Sequence, residues 1–311
     1  MALLLKQMRR NGAFQLKKTD AILVQILCMG ILAVCFISCK SVPQANPVNP
    51  LDILDAGSSF YLKIPEKTDP VLVSRILQSG IVGISPENAD KITERIDIVY
   101  AGLERKLNQT AVQAVVSGIV PRIAVSRAFK KNSGWEFSSV YEKNTAGKLV
   151  EYVYYTEKSS GMQAAFPSDN IACFGYAVPS MIDSYHNHAF NGDLSNRIQS
   201  SVYEWLSEGR DQIRFYAVKP QSFLTVLTGT NLNLRLAYVK GYMITDQNYT
   251  DQYIMTIEFE FNNERMIKAG ESMLSLAFGL TNSQTQLTSP THLIVSNIKI
   301  NKKQLYGLFT L

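Results

Sequence analysis

Residues 253–261 read Tyr-Ile-Met-Thr-Ile-Glu-Phe-Glu-Phe, and their alternation constrains the chain more than any other feature. Tyr253, Met255, Ile257, Phe259 and Phe261 share one face of an extended strand, with Thr256, Glu258 and Glu260 on the other. A period of two demands a sheet with one dry face and one wetter face, and something to cover the dry one. The stretch Leu232–Tyr242 alternates in the same way, with Leu232, Leu234, Leu236 and Tyr238 opposite Asn233 and Arg235. The segment after residue 262 changes period. Met266, Ile267, Met273, Leu274 and Ala277 recur at helical spacing, predicting a covering helix over about 263–277.

Upstream segments fall into a similar order. Phe60-Tyr61-Leu62-Lys63-Ile64-Pro65 recurs in kind as Phe215-Tyr216-Ala217-Val218-Lys219-Pro220, each a short strand ended by proline and followed by a helix-like stretch (68–79 and 221–228). Ser85-Pro86-Glu87 opens a further short helix, with serine at the cap and proline in the first turn. Strands are predicted over 96–103 and 111–119, then a helix from Pro121, an aromatic hairpin (135–141 with 149–155) and strands at 162–166 and 171–176. A helix near 193–207 joins the halves, and strands at 293–300 and 305–311 end the chain. The repeating order strand, helix, strand, strand, helix, strand points to α+β architecture. It predicts two tandem ferredoxin-like (split βαβ) units, antiparallel sheets each covered on one face by helices. The first unit would span 54–180, and a linker helix with the second unit 181–311.

The N-terminus carries a different signal. Lys6, Arg9, Arg10, Lys17 and Lys18 precede an apolar run over 21–37 that stops at Ser38-Cys39-Lys40. As a helix the run would be about 25 Å long, short for a bilayer core of about 30 Å. Cys28 lies within the run, and Cys35 follows Val34, too large for the position before a cut; Cys39 follows the small Ser38. Phe36-Ile37-Ser38-Cys39 resembles the signal of bacterial lipoproteins of the spirochaete type, with Phe36 where leucine is usual. The resemblance implies export, removal of residues 1–38 and lipidation (diacylglycerol, palmitate) at Cys39. The alternative is an uncleaved single-pass anchor. Either way the basic residues stay cytoplasmic and the rest is extracytoplasmic. Residues 39–53, with Pro43, Pro47 and Pro50, are expected to form a tether.

Losing residues 1–38 removes five of the 31 basic and one of the 26 acidic side chains, leaving a formal net charge of +1. A neutral exported chain gives no electrostatic ground for nucleic-acid binding. The helix after Pro121 carries Arg122, Arg127, Lys130 and Lys131, a solvated face or a contact for lipid headgroups. Only Cys173 would remain as a free thiol, so no intrachain disulfide is available.

No catalytic signature emerges: the chain lacks G-x-S-x-G, G-x-x-x-x-G-K-[ST] and a strand-borne G-x-G-x-x-G. His186 and His188 are weak metal candidates in what reads as a polar loop, with Asp183 or Asp193 as a further ligand. Cys173 sits in an apolar strand and reads as a buried hydrophobe rather than a nucleophile. Glu258 and Glu260 read as the wet side of a strand rather than a paired acid and base. Tyr152, Tyr154 and Tyr155 suit either a sheet core or a recognition surface. The expectation is a lipid-anchored envelope protein without a cofactor, which binds or scaffolds another envelope protein or a glycan. Alternatives are an exported metal-dependent or hydrolytic enzyme at His186 and His188, and an envelope-assembly factor with an apolar cleft between the units.

Overall fold

A computed structural model describes residues 45–65, 69–80, 85–106, 109–131, 134–228, 234–277 and 284–309. The export segment 1–38 and Cys39 lie outside the described residues.

Strand β1 (Phe60–Pro65) is followed by helices α1 (Pro70–Gly80) and α2 (Pro86–Thr93), strands β2 (Ile96–Lys106) and β3 (Gln109–Gly118), and helix α3 (Arg122–Lys131). Strands β4 (Trp135–Lys143), β5 (Leu149–Glu157), β6 (Gln163–Ser168) and β7 (Ile171–Gly175) come next. Helix α4 (Val178–His186) continues into a π-helical turn at Asn187–Asn191 and is followed by α5 (Ser200–Ser207). The C-terminal part holds β8 (Ile213–Ala217), α6 (Pro220–Thr228), β9 (Leu236–Thr245), β10 (Gln252–Phe261), α7 (Ile267–Ala277), β11 (Gln284–Leu287), β12 (His292–Asn301) and α8 (Lys302–Phe309).

The described strands form one twelve-stranded sheet, ordered β11-β12-β10-β9-β8-β1-β2-β3-β7-β6-β5-β4. This corrects the expectation of two ferredoxin-like units. In a split βαβ plan the third strand lies between the first and second. Here the second lies directly beside the first: β1 pairs with β2 and β8 with β9, each antiparallel. The halves are joined by the antiparallel pair β1·β8, Tyr61 opposite Tyr216 and Leu62 opposite Phe215, so no boundary at 180 separates two sheets.

Both faces carry core. On the first face, Leu62 and Ile64 of β1, Phe215 of β8 and the odd residues of β10 from Tyr253 to Phe261 pack under α1, α6, α7 and α8. The alternation of β10 is realised residue by residue. On the second face, Tyr61, Tyr100, Val115 and Cys173 pack under α4 and α5, a layer not anticipated by helices on one face only. Pro179 in its first turn starts α4, and Val178, Met181, Ile182 and Tyr185 form its buried stripe.

Two further segments depart from expectation. The tether expected over 39–53 is part of the folded body from Asn46 onward. Pro50–Ile53 form a 3₁₀ turn capped by Asn49, and Leu51, Ile53 and Leu54 are fully buried on the second face. The strand expected over 305–311 is helix α8, which buries Leu305 and Tyr306. The joining helix expected over 193–207 is confined to α5.

Candidate functional site: an apolar cleft on the first face

The four residues Ile96, Val116, Ala172 and Phe174, from β2, β3 and β7, floor a cleft on the first face of the sheet. Leu77 of α1 and Ile92 of α2 form one wall; Val125, Ala128 and Phe129 of α3 form the other. Its volume is about 510 Å³, within the range of about 300–1,000 Å³ typical of small-molecule sites. A smaller cavity of about 100 Å³ adjoins it, sharing Leu77, Val116 and Phe174.

The local sequence explains why this part of the sheet is open. Gly118 ends β3, and the Ile119 and Val120 amides turn away to the carbonyls of Arg95 and Asp169. Pro121 then starts α3, which packs at one end on an aromatic cluster. Phe129 meets Trp135 edge-on at 4.7 Å and lies 4.9 Å from Tyr155 and 5.5 Å from Phe166. Helices α1 and α2 pack on each other, Ser74 Oγ donating to Asp90 at 2.6 Å. The floor between the two walls is left without a covering helix. The polar lining is confined to Asn88, Lys91 and Arg95 at the α2 side. Lys91 is exposed and pairs with Glu87 one turn away at 2.6 Å. Ile119, which lines the cleft, is 72% exposed, unusual for isoleucine on a folded surface.

The residues singled out in the sequence lie elsewhere or are otherwise engaged. His186 is fully buried on α4 rather than in a polar loop. Its Nδ1 meets the Tyr152 hydroxyl at 3.0 Å and its ring packs on Phe190 at 5.1 Å. His188 Nδ1, in the π-helical turn, lies 2.8 Å from the Ser184 carbonyl four residues earlier in α4. Asp183 is held by Arg197 and Asn187, and Asp193 accepts from the Ser195 amide. Among the described residues, no three His, Cys, Asp or Glu side chains come together as a metal site. Cys173 is buried, and burial pushes its thiol up to about 12. Glu258 faces Lys240 at 3.2 Å and His292 at 3.4 Å. Tyr152 and Tyr155 are buried, on opposite faces of β5. On α3, Arg122 pairs with Asp169 at 3.0 Å and Lys130 lies over Phe137 at 5.4 Å.

The comparisons with known proteins agree with this fold. The family described as outer membrane-associated lipoprotein TP0453 matches residues 45–306. This chain belongs to the TP0453 family. Outer membrane protein TP0453 of Treponema pallidum (strain Nichols) is 23% identical over 243 residues, 78% of each chain. The crystal structures of TP0453 in forms I and III each align with a TM-score of 0.62 at 20% identity. They cover 85% of this chain and 97% and 98% of theirs. TP0453 family membership agrees with the expectation of a spirochaete lipoprotein of the cell envelope. The cleft lies within the N-terminal half, not between two units.

Proposed function

We propose that the chain is a lipoprotein acylated at Cys39 that binds the apolar chain of an amphiphile in the cleft, with the amphiphile's acidic head beside Lys91 and Arg95. The observation that carries this reading is the cleft itself, an apolar trough between α1–α2 and α3 whose polar groups stand on one rim. Such a division matches a molecule with one long apolar part and one charged end. Burying ten methylenes would contribute about 8 kcal/mol, before the cost of ordering ligand and protein. The partner is thus a lipid-like molecule of the envelope. A glycan would ask for more hydrogen-bonding groups than the three polar residues of the lining supply.

The test is displacement of a fluorescent fatty acid from the purified full chain. Val125→Asp places a charge in the trough, and Ala128→Trp fills it from an exposed position on α3. Each is expected to weaken binding about tenfold or more, Val125→Asp because an unpaired charge against the apolar chain costs well over about 1.4 kcal/mol and Ala128→Trp because the indole takes the space the chain would occupy. Unchanged affinity in both variants, with unaltered circular dichroism, would overturn the reading.

A further inference from the structure

The smaller cavity beside the cleft owes its existence to a row of short side chains. Ala101 of β2 stands opposite Ala114 of β3, Ala114 opposite Phe174 of β7, and Phe174 opposite Ala164 of β6. Residues directly opposite one another share a face of the sheet. Leu62, opposite Ala101 in β1, places this row on the first face. Alanine is depleted in strands because it offers little to pack against its neighbours. Val73 and Ile76 of α1 roof the space above Ala114 without filling it, and about 100 Å³ stays open. That is room for about three methylenes, each close to the share of about 30 Å³ that a water takes in the liquid.

The hollow has one chemical character and one direction. Every side chain that lines it is apolar. A buried water needs at least two polar partners, so this lining suits an apolar occupant. Leu77, Val116 and Phe174 line both spaces, so the hollow continues the cleft. The cleft begins at Val116, and Val112 and Met162 stand at the end of the hollow away from it. Arg95, on the polar rim, immediately precedes β2, and Ala101 lies six residues further on. Six residues of strand cover about 20 Å. An extended hydrocarbon advances about 1.25 Å per carbon, set by bonds of about 1.5 Å, so about 16 carbons cover that span.

We infer that the hollow over Ala114 takes the methyl end of the bound chain and sets its preferred length, selecting an acyl chain of about 16 carbons. The inference rests on the amphiphile reading of the cleft and adds the length of the occupant. Charge at the Arg95 end and a dead end without polar groups at the Ala114 end fix the direction in which the chain lies.

Saturated fatty acids of about 8 to about 20 carbons are set to compete with a fluorescent fatty acid for the purified full chain. In the parent chain, affinity is expected to rise about threefold to fourfold per methylene and to level off near about 16 carbons. Ala114→Leu fills the hollow, and its plateau is expected about three carbons earlier. Met162→Ala enlarges the hollow, and its plateau is expected about two carbons later. General damage to the fold would not move the two variants in opposite directions. Met162 is half-buried, so its truncation decides alone if Ala114→Leu loses the circular dichroism of the parent chain. A Met162→Ala plateau at the parent's length, or no plateau in the parent, would overturn the hollow as the site of the methyl end and leave the cleft reading standing. Failure of every fatty acid to displace the probe from the parent chain would overturn the cleft reading and this inference together.

Discussion

The Tyr306 hydroxyl donates to the Asp69 carboxylate at 2.9 Å, tying the C-terminal helix α8 to the start of α1. Asp69 is buried, accepts a second hydroxyl from Tyr253, and caps α1 through the Leu72 amide at 3.0 Å. Burial and the neighbouring carboxylate push both tyrosines well above their ordinary range, so both remain donors at neutral pH. Helix α1 forms one wall of the cleft, and this buried cluster anchors its N-terminal end. Tyr306→Phe removes one donor from a buried acceptor and is expected to cost about 1–3 kcal/mol. A thermal midpoint lowered by about 2–10 °C would report it. A midpoint equal to that of the parent chain would show that the bond contributes nothing net.

Gly270 of α7 sits against the ring of Phe261, where an added methyl would collide with it. Phe261 is buried at 2% exposure and has nowhere to retreat. Alanine in a helix interior ordinarily gains about 1 kcal/mol over glycine. Here Gly270→Ala is expected to destabilise, because overpacking a core costs about 1–3 kcal/mol. Urea unfolding decides the sign, a lower midpoint being the expected result.

Lys63 is buried and donates to the carbonyls of Glu208 and Gly209, just beyond the last turn of α5. Burial, with Arg214 nearby, lowers its ammonium to about 8 from an ordinary 10.5. Folding therefore disfavours the charged form. The penalty is fully present below pH 8 and is relieved as pH rises toward 10.5, where the unfolded chain also loses the proton. Burial acts in the opposite sense on Tyr100 and Tyr238, pushed up to about 12, whose contribution is full below pH 10 and is lost above it. Stability should thus rise between about pH 8 and 10 and fall beyond. Thermal unfolding across pH 7–11 is expected to show the rising limb in the parent chain and not in Lys63→Met.

Arg95 stands on the polar rim of the cleft. An exposed ion pair is worth about 0.2–1 kcal/mol. Arg95→Glu exchanges attraction for repulsion and is expected to weaken binding of a fatty-acid carboxylate about threefold to tenfold. It should leave the uncharged methyl ester of the same acid unaffected. Equal losses for both ligands would place the acid head elsewhere.

Individual elements were legible in the sequence where one face of a single strand or helix is decisive. The odd residues of β10 are buried as the alternation requires, and the Ser85 cap and Pro86 start α2 as expected. Strand order was not legible, because alternation specifies which side is dry and not which strand is the neighbour. Where α4 forms, Ser184-Tyr185-His186-Asn187-His188 reads as a loop because it is polar by composition. The helix's signal was Pro179 in the first turn with Met181, Ile182 and Tyr185 at helical spacing. The cleft was legible only in part. A helix from Pro121 was expected, but the open floor arises from where α1, α2 and α3 settle on the sheet, a long-range consequence no local pattern carries. An aromatic run on a hairpin suits a core or a recognition surface equally by pattern, and Tyr152 and Tyr155 are core.

Photo-crosslinking of the full chain with a diazirine-bearing fatty acid, followed by peptide mass mapping, tests the proposed cleft occupancy most directly. Label is expected on the peptides carrying Leu77, Val116, Val125, Phe129 or Phe174, competed away by excess unlabelled fatty acid. Label that falls elsewhere, or that excess fatty acid does not compete, would contradict it.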